Sequence, residues 1–155
     1  MAESTLYKTA LNKAMSQCSQ REYCASEIVT KLESWGITGN DSNKIIDLLI
    51  RENFINEERF ACAFARDKFR YNKWGKVKIA AHFRAKKISA EAARTGLESI
   101  DNELYINTLK ALIESHRRSV KAKNQYDLKA KLLRFGLSKG FESSLLYETI
   151  NLPEE

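Results

Sequence analysis

The sequence contains little proline, glycine or cysteine, and it has no long apolar run. A single proline, Pro153, and six glycines leave long stretches free of residues that break helices. No stretch approaches the roughly 18 consecutive apolar residues that a membrane span needs, and the first residues lack the apolar core of a secretory signal. We therefore expect a soluble protein that stays in the cytoplasm and makes no use of a membrane.

The three cysteines, Cys18, Cys24 and Cys62, form an odd set without the CxxC spacing of a metal site. Only His82 and His116 could join them as ligands, and neither has a neighbour that suggests a nucleophile paired with a base. No glycine-rich loop of the kind that binds phosphate is present. We therefore expect no metal, no cofactor and no enzymatic activity, with the cysteines acting as small apolar residues.

Helices are the only regular structure that the pattern of apolar residues predicts. These residues recur at spacings of three and four, and no segment alternates as a strand does. Ser26, Ser89 and Asp101 can accept hydrogen bonds from exposed amides and so predict helix starts. Gly36 and Gly136 each precede an apolar residue and predict helix ends. The predicted fold class is therefore all-α.

Three apolar positions recur with one internal spacing, at offsets of 51 and then 49 residues. They are Ile28, Leu32 and Ile37, then Ile79, Phe83 and Ile88, then Leu128, Leu132 and Leu137. Such a period predicts tandem units that share a continuous core. We expect three tandem three-helix repeats in an elongated, curved arrangement, at residues 1–55, 56–100 and 101–155, the last with a short acidic tail. The alternative is a compact nine-helix globule whose apparent repeats reflect general amphipathicity.

Basic residues are concentrated in two segments of a chain whose net charge is +6. Residues 59–94 carry 11 basic and 2 acidic side chains, and residues 110–134 carry 8 and 2. On a helical wheel, one narrow outward stripe contains Arg59, Arg66, Arg70 and Lys73. Because little acid is available nearby to neutralise these charges, a negatively charged partner is favoured over an ordinary solvated face.

Two aromatic residues, Tyr71 and Trp74, lie among the basic residues of the second segment. Aromatic rings beside cations can stack on the bases of a single-stranded nucleic acid. They can equally anchor the end of a helix to the core. For Trp74, which precedes Gly75 at a predicted tight turn, we favour the anchor.

The stretch from Phe54 to Ser89, FINEERFACAFARDKFRYNKWGKVKIAAHFRAKKIS, resembles the central repeat of the RecX family of bacterial recombination regulators. The resemblance depends on the apolar pair and acidic segment before Arg59, the basic residues that follow, and Gly75 ahead of an Ile-xxx-aromatic helix. REYCASEIVTKLESWGI and LLRFGLSKGFESSLLYETI resemble the first and last repeats of that family. One departure is Lys87, which stands where many members have glycine.

The resemblance implies a regulator of RecA, with a role in DNA repair, homologous recombination and the SOS response. Because a repeat protein with satisfied end units needs no second copy, we expect a monomer. Such a protein would lie along the RecA filament on single-stranded DNA, contacting the DNA directly or through RecA, and restrain ATP hydrolysis, strand exchange and co-protease activity. Two alternatives remain open: a stand-alone DNA-binding protein that acts through its basic face, and a structural adaptor for another acidic protein.

We expect the contacts with RecA or DNA to come from basic residues of the second and third repeats. The candidates are Arg66, Arg70, Lys73, Lys76, Lys78, Arg84, Lys86, Lys87, Lys121, Lys123, Lys131 and Arg134. Arg59 is expected instead to pair locally beneath the start of its helix.

Overall fold

The protein is described by a computed structural model over residues 4–151, and all regular structure in that part of the chain is helical. The helices are α1 Thr5–Gln20, α2 Ala25–Ser34, α3 Gly39–Arg51, α4 Glu57–Asn72, α5 Lys76–Ala85, α6 Ala90–Glu98, α7 Asn102–Ser119, α8 Gln125–Ser138 and α9 Ser143–Asn151. The predicted all-α fold is confirmed. None of these helices combines the length and the apolar character of a membrane-spanning segment. The acidic tail predicted after α9, with Glu154 and Glu155, lies outside the described residues.

Two of the predicted helix starts are confirmed by side-chain hydrogen bonds. The amide of Ala92 donates to the hydroxyl of Ser89 at 3.2 Å, at the start of α6. The amide of Leu104 donates to the carboxylate of Asp101 at 2.8 Å, at the start of α7. In both cases a short polar side chain satisfies an amide that the helix itself leaves without a partner.

The predicted start at Ser26 is wrong by two residues. Helix α2 begins at Ala25, and the amide of the preceding residue, Cys24, donates to Oε1 of Glu27 at 3.1 Å. Ser26 therefore lies in the first turn, where its hydroxyl donates to the carbonyl of Lys86 at 2.7 Å. A serine was expected to cap the helix, but here its hydroxyl holds the end of α5 instead.

Helices α2, α5 and α8 end in the same way. In each, one residue takes the left-handed conformation: Gly36 (φ 85°), Lys87 (φ 63°) and Gly140 (φ 91°). The next amide donates to the carbonyl five residues earlier: Ile37 to Leu32 at 2.8 Å, Ile88 to Phe83 at 3.0 Å, and Phe141 to Gly136 at 3.1 Å. This pairing satisfies carbonyls that the last helical turn would leave free. One local structure thus recurs at offsets of 51 and 53 residues.

The predicted helix end at Gly136 is wrong, and so is the match of Leu137 to the first two copies. Helix α8 continues to Ser138, and Gly136 is buried inside it. A Cβ atom at Gly136 would lie 2.2 Å from Cδ2 of Leu146, so this glycine serves close packing. The buried residue after the helix is Phe141, whereas Leu137 is 47% exposed.

The chain forms two compact units, and the predicted repeat boundaries after residues 55 and 100 fall in the α3–α4 and α6–α7 connections. Unit 1 contains the residues up to Ala63 together with Phe83–Gly96. In it, α1, α2 and α3 all pack against one another. Their shared core consists of Tyr7, Ala10, Ala14, Ile28, Leu32, Ile37, Ile45, Leu49 and Ile55. The division into three repeats stays a prediction.

Unit 2 contains Phe64–His82 and the residues from Leu97 onward. Helices α7, α8 and α9 all pack against one another in it. A row of aromatic rings joins them to the end of α4: the ring centroids of Phe69 and Tyr105 are 5.5 Å apart, and those of Tyr105 and Phe141 are 5.2 Å apart. Because all three rings are buried, they fix the position of the α4–α5 turn, residues 72–76, within this unit.

Candidate functional site

The second half of α4 carries the exposed cations that the sequence predicted. Arg66 and Arg70 are exposed, and Tyr71 beside them is 72% exposed. The guanidinium carbon of Arg70 lies 5.4 Å from the centroid of the Tyr71 ring. An exposed ring with a cation next to it can contact both an anion and a planar group.

Arg59, at the start of α4, has the structural role that was expected of it. Its Nε donates to Oε2 of Glu22 at 2.6 Å, and its Nη2 donates to the carbonyls of Asn53 and Phe54 at 3.0 and 3.3 Å. The charge is therefore compensated within unit 1. Arg59 is separate from the cations at the other end of the helix.

Helix α4 ends at a lysine in the left-handed conformation. Lys73 has φ 58°, and its amide donates to the carbonyl of Phe69 at 3.0 Å. The next amide, that of Trp74, donates to the carbonyl of Lys68 at 3.2 Å. The ammonium groups of Lys73 and Lys139 donate to the carbonyls of Arg70 and Asn72, respectively. Two cations thus satisfy the negative end of the helix dipole.

The start of α5 has its amides satisfied by residues distant in sequence. The amide of Gly75 donates to the carbonyl of Lys139 at 2.8 Å, and that of Val77 donates to the carbonyl of Gly140 at 2.9 Å. The amide of Lys76 donates to the hydroxyl of Tyr105 at 2.8 Å. These bonds leave the first turn of α5 without free donors, so it is not an anion site in its own right.

Two glycines allow this close approach of the α4–α5 turn and the α8–α9 turn. A Cβ atom on Gly75 would lie 2.3 Å from the carbonyl oxygen of Gly140. A Cβ atom on Gly140 would lie 2.2 Å from Cβ of Lys78. No side chain fits at either position without moving backbone, and the sequence gives no signal that the two glycines meet.

Tyr105 connects the same turn to α9. Its hydroxyl donates to Oε1 of Glu142 while accepting from the amide of Lys76. Burial raises the pKa of the Tyr105 hydroxyl, and the hydrogen bond to the Glu142 carboxylate raises it further. Tyr105 is therefore a neutral structural donor, and the sequence analysis did not single it out.

Trp74 is surrounded by aromatic rings and lysines of unit 2. Its ring centroid lies 4.5 Å from that of His82 and 6.5 Å from that of Phe64. The ammonium nitrogens of Lys68 and Lys78 lie over the indole, 5.0 and 4.7 Å from its centroid. The expectation that Trp74 anchors the helix end agrees with these contacts, and the two lysines add positive charge above its ring.

The α7–α8 connection and the adjoining part of α8 carry the remaining candidates of unit 2. Lys121, Lys123 and Arg134 are exposed. Lys131 donates to the carbonyl of Lys121 at 2.6 Å and lies 3.1 Å from the carboxylate of Asp127. The backbone amide of Lys123 and the Lys131 side chain both donate to Asp127 and hold the pKa of its carboxyl below the usual range. Lys131 therefore stabilises the conformation of the α7–α8 connection.

The three candidates at the end of α5 belong to unit 1 and differ in exposure and in ion pairing. Arg84 and Lys87 are exposed. Lys86 is partly buried, and its Nζ lies 2.9 Å from Oε2 of Glu27. Because this charge is already compensated by a carboxylate, Lys86 is the weakest of the twelve candidates.

The structure brings together four of the predicted cations, Arg70, Lys73, Lys76 and Lys78, at the α4–α5 turn. Lys76 also lies over an aromatic ring, 4.9 Å from the centroid of Tyr105. Lys68 belongs to the same place but was missed. Its wheel position follows the apolar Phe64 by one turn and lies outside the outward stripe, so the charge pattern did not include it.

The described residues contain no group of three or more His, Cys, Asp or Glu side chains placed to hold a metal ion. Of the cysteines, Cys24 is buried, and burial raises the pKa of its thiol. A raised pKa keeps the thiol protonated and unreactive.

Fold and charge together define a class: a basic, all-helical protein with groups of three mutually packed helices and a cation-rich turn. Comparison with known proteins shows which family the chain resembles. The family model "RecX, second three-helix domain" matches residues 56–97, from α4 to α6. The resemblance noted in the sequence is confirmed: the part of the chain from α4 to α6 matches a model of the RecX family.

Curated relatives and solved structures agree with this resemblance. Regulatory protein RecX of Lactobacillus johnsonii is 28% identical over 88% of this chain and 50% of its own length. The RecX of Clostridium perfringens is 29% identical over 84% of this chain and 62% of its own. The RecX of Chromohalobacter salexigens is 27% identical over 90% of this chain and 89% of its own length. The chain thus spans about half to three fifths of the length of the first two relatives.

Two crystal structures share the fold. The structure of RecX from Lactobacillus salivarius matches with a TM-score of 0.79 over 94% of both chains. A second structure, of regulatory protein RecX, matches with a TM-score of 0.82 over 94% of this chain and 72% of that chain. Both are 22% identical to this sequence, a level that establishes the fold alone.

Proposed function

We propose that this chain binds the RecA filament on single-stranded DNA and inhibits its ATPase, strand-exchange and co-protease activities. The observation that carries the proposal is the concentration of cations at the α4–α5 turn, within the residues that match the RecX family model. A filament of acidic protein and DNA phosphate attracts such a surface through many modest contacts.

The proposed role requires no chemical step and no cofactor. The relatives carry the name regulatory protein, which agrees with action through binding. We place the chain in the cytoplasm, where RecA acts in DNA repair, recombination and the SOS response, and we expect it to bind as a monomer. Light scattering of the free protein measures that last property.

The test is the DNA-dependent ATPase of the cognate RecA at increasing concentrations of this chain. We expect dose-dependent inhibition that the Arg66→Glu/Arg70→Glu variant loses, because the reversed charges repel the filament. The matched control is Lys8→Glu/Lys44→Glu, which makes the same charge change at two exposed lysines of unit 1. Circular dichroism checks that all variants are helical. An unchanged ATPase rate at saturating wild-type protein would rule the regulator out.

A second candidate function is that of a DNA-binding protein that acts without RecA. The observation that favours it is the pair of lysines over Trp74. This function predicts tight binding to DNA alone that weakens steeply with salt, because each contacted phosphate releases a counterion. Undetectable binding to DNA in the absence of RecA would exclude it as the main role.

A further inference from the structure

No described carboxylate compensates the charge of Lys68 or Lys78. Neither ammonium group forms an ion pair or donates a hydrogen bond to a described residue. By contrast, Lys73 and Lys139 donate to carbonyl oxygens at the end of α4. The side chains of Lys68 and Lys78 are partly buried, so their charges are less well hydrated than those of freely exposed lysines.

Both of these lysines lie over one aromatic ring. Their ammonium nitrogens are 5.0 and 4.7 Å from the centroid of Trp74. The indole attracts each cation, but it does not neutralise either charge. Because both ammonium nitrogens lie close to the same ring, an anion at the edge of that ring is attracted by both charges.

The arrangement is formed before any ligand binds. The amide of Trp74 is bonded to the carbonyl of Lys68 at 3.2 Å, which holds the indole beside the last turns of α4. Gly75 packs against the carbonyl group of Gly140. The amides of Val77 and Lys78, in the first turn of α5, donate to that same Gly140 carbonyl. A preformed site loses little conformational entropy on binding, so its contacts contribute more fully to affinity.

The adjacent aromatic residue indicates the chemical class of the ligand. Tyr71 is 72% exposed, three residues before Trp74, with the guanidinium of Arg70 beside its ring. An acidic polypeptide would use the cations but not this exposed ring. A single-stranded nucleic acid uses both, because its phosphates pair with lysines and its unpaired bases stack on aromatic faces.

We propose that Lys68 and Lys78 bind the phosphates of a single-stranded nucleic acid over Trp74, and that Tyr71 stacks on a neighbouring base. The proposal rests on the proposed function, since the RecA filament would present the strand. It adds the residues that contact the nucleic acid, including Lys68, which the sequence did not predict. Bases paired in a duplex are already stacked on one another, so the site selects single strands.

The experiment uses the full chain with Trp35→Phe, which leaves Trp74 as its single tryptophan. The probe is a short oligothymidylate in the absence of RecA, with Trp74 fluorescence as the signal. We expect a saturable change in fluorescence, because the phosphates draw the ammonium groups off the indole. The logarithm of the binding constant should fall linearly with the logarithm of the salt concentration, with a slope of about −0.7 for each phosphate contacted.

Single substitutions separate the two kinds of contact. Lys68→Gln and Lys78→Gln should each weaken binding and reduce the magnitude of the salt slope by about 0.7. Tyr71→Ala should weaken binding about tenfold and leave the slope unchanged, because stacking releases no counterion. Asp67→Asn removes an exposed carboxylate one turn before Tyr71, and it should strengthen binding. Lys44→Gln, an exposed lysine of unit 1, is the matched control and should have no effect.

Several outcomes would overturn the proposal. One is wild-type affinity in both lysine variants with circular dichroism unchanged. Another is a response to polyglutamate but not to the oligonucleotide, which would identify the ligand as an acidic polypeptide. Equal affinity for a duplex of the same length would remove the preference for single strands. Inhibition of RecA without oligonucleotide binding would reject this site but keep the proposed regulator. Oligonucleotide binding without inhibition of RecA would reject the regulator but keep this site.

Discussion

Lys87 occupies a backbone conformation that suits glycine. It ends α5 with φ 63°, at the position held by Gly36 and Gly140 at the ends of α2 and α8. The left-handed conformation costs a side chain with a Cβ atom about 1 kcal/mol. A positive charge at a helix C-terminus returns part of that cost, about 0.5 kcal/mol, through the helix dipole.

We predict that Lys87→Gly is more stable than Lys87→Ala by about 1 kcal/mol, because only glycine relieves the backbone strain. Both substitutions remove the charge, so their difference isolates the conformational effect. Urea denaturation followed by circular dichroism gives the two free energies of unfolding. Equal stability of the two variants would mean that the strain is absent.

At the scale of the helix, the α4–α5 turn depends on the close approach of two glycines from distant parts of unit 2. Gly75 has no room for a side chain because the backbone of Gly140 lies against its Cα. The same contact positions Lys78 on the next helix. Stability and the candidate site therefore depend on one piece of backbone packing.

Gly75→Ala should destabilise the protein by about 3 kcal/mol, because the added methyl group would lie 2.3 Å from a carbonyl oxygen. Gly39→Ala is the matched control. At that position the added methyl meets nothing within 4 Å, but φ is 63°, so only a conformational cost of about 1 kcal/mol is expected. Thermal and urea unfolding measure the stability of both variants. A Gly75→Ala variant as stable as Gly39→Ala would contradict the packing described.

Sequence periodicity was sufficient to predict the helices because it follows directly from which side chains are buried. It failed to distinguish Gly136 from Gly140, since each glycine is followed by an apolar residue. Packing of Leu146 against Gly136 decides between them, and that contact depends on the tertiary structure. Lys68 was missed for a related reason: its backbone position faces inward, but its long side chain reaches the ring of Trp74.

Over the whole molecule, positive charge is segregated along the chain. Residues 59–94 have a net charge of +9, whereas residues 1–58 have a net charge of −3. Such an asymmetry attracts a polyanion from a distance and accelerates association more than it strengthens the final complex. Dissolved salt screens this attraction. The stability of the fold depends on buried apolar contacts, so it should respond less to the salt concentration.

We predict that raising the salt concentration from low to physiological slows the proposed association with the RecA filament at least tenfold, with a smaller change in the dissociation rate. Stopped-flow fluorescence measures the association rate, and thermal unfolding of the free protein provides the control. The proposal of electrostatic attraction would fail if association were independent of salt.

The contact between Gly75 and Gly140 also bears on the order of events in folding. It joins residues that are 65 positions apart, so the chain must close a long loop before this contact can form. We predict that this contact forms after the transition state, whereas the helices around it form earlier. Substitutions at these glycines should then accelerate unfolding and leave the folding rate nearly unchanged, so the contact would set the lifetime of the folded state.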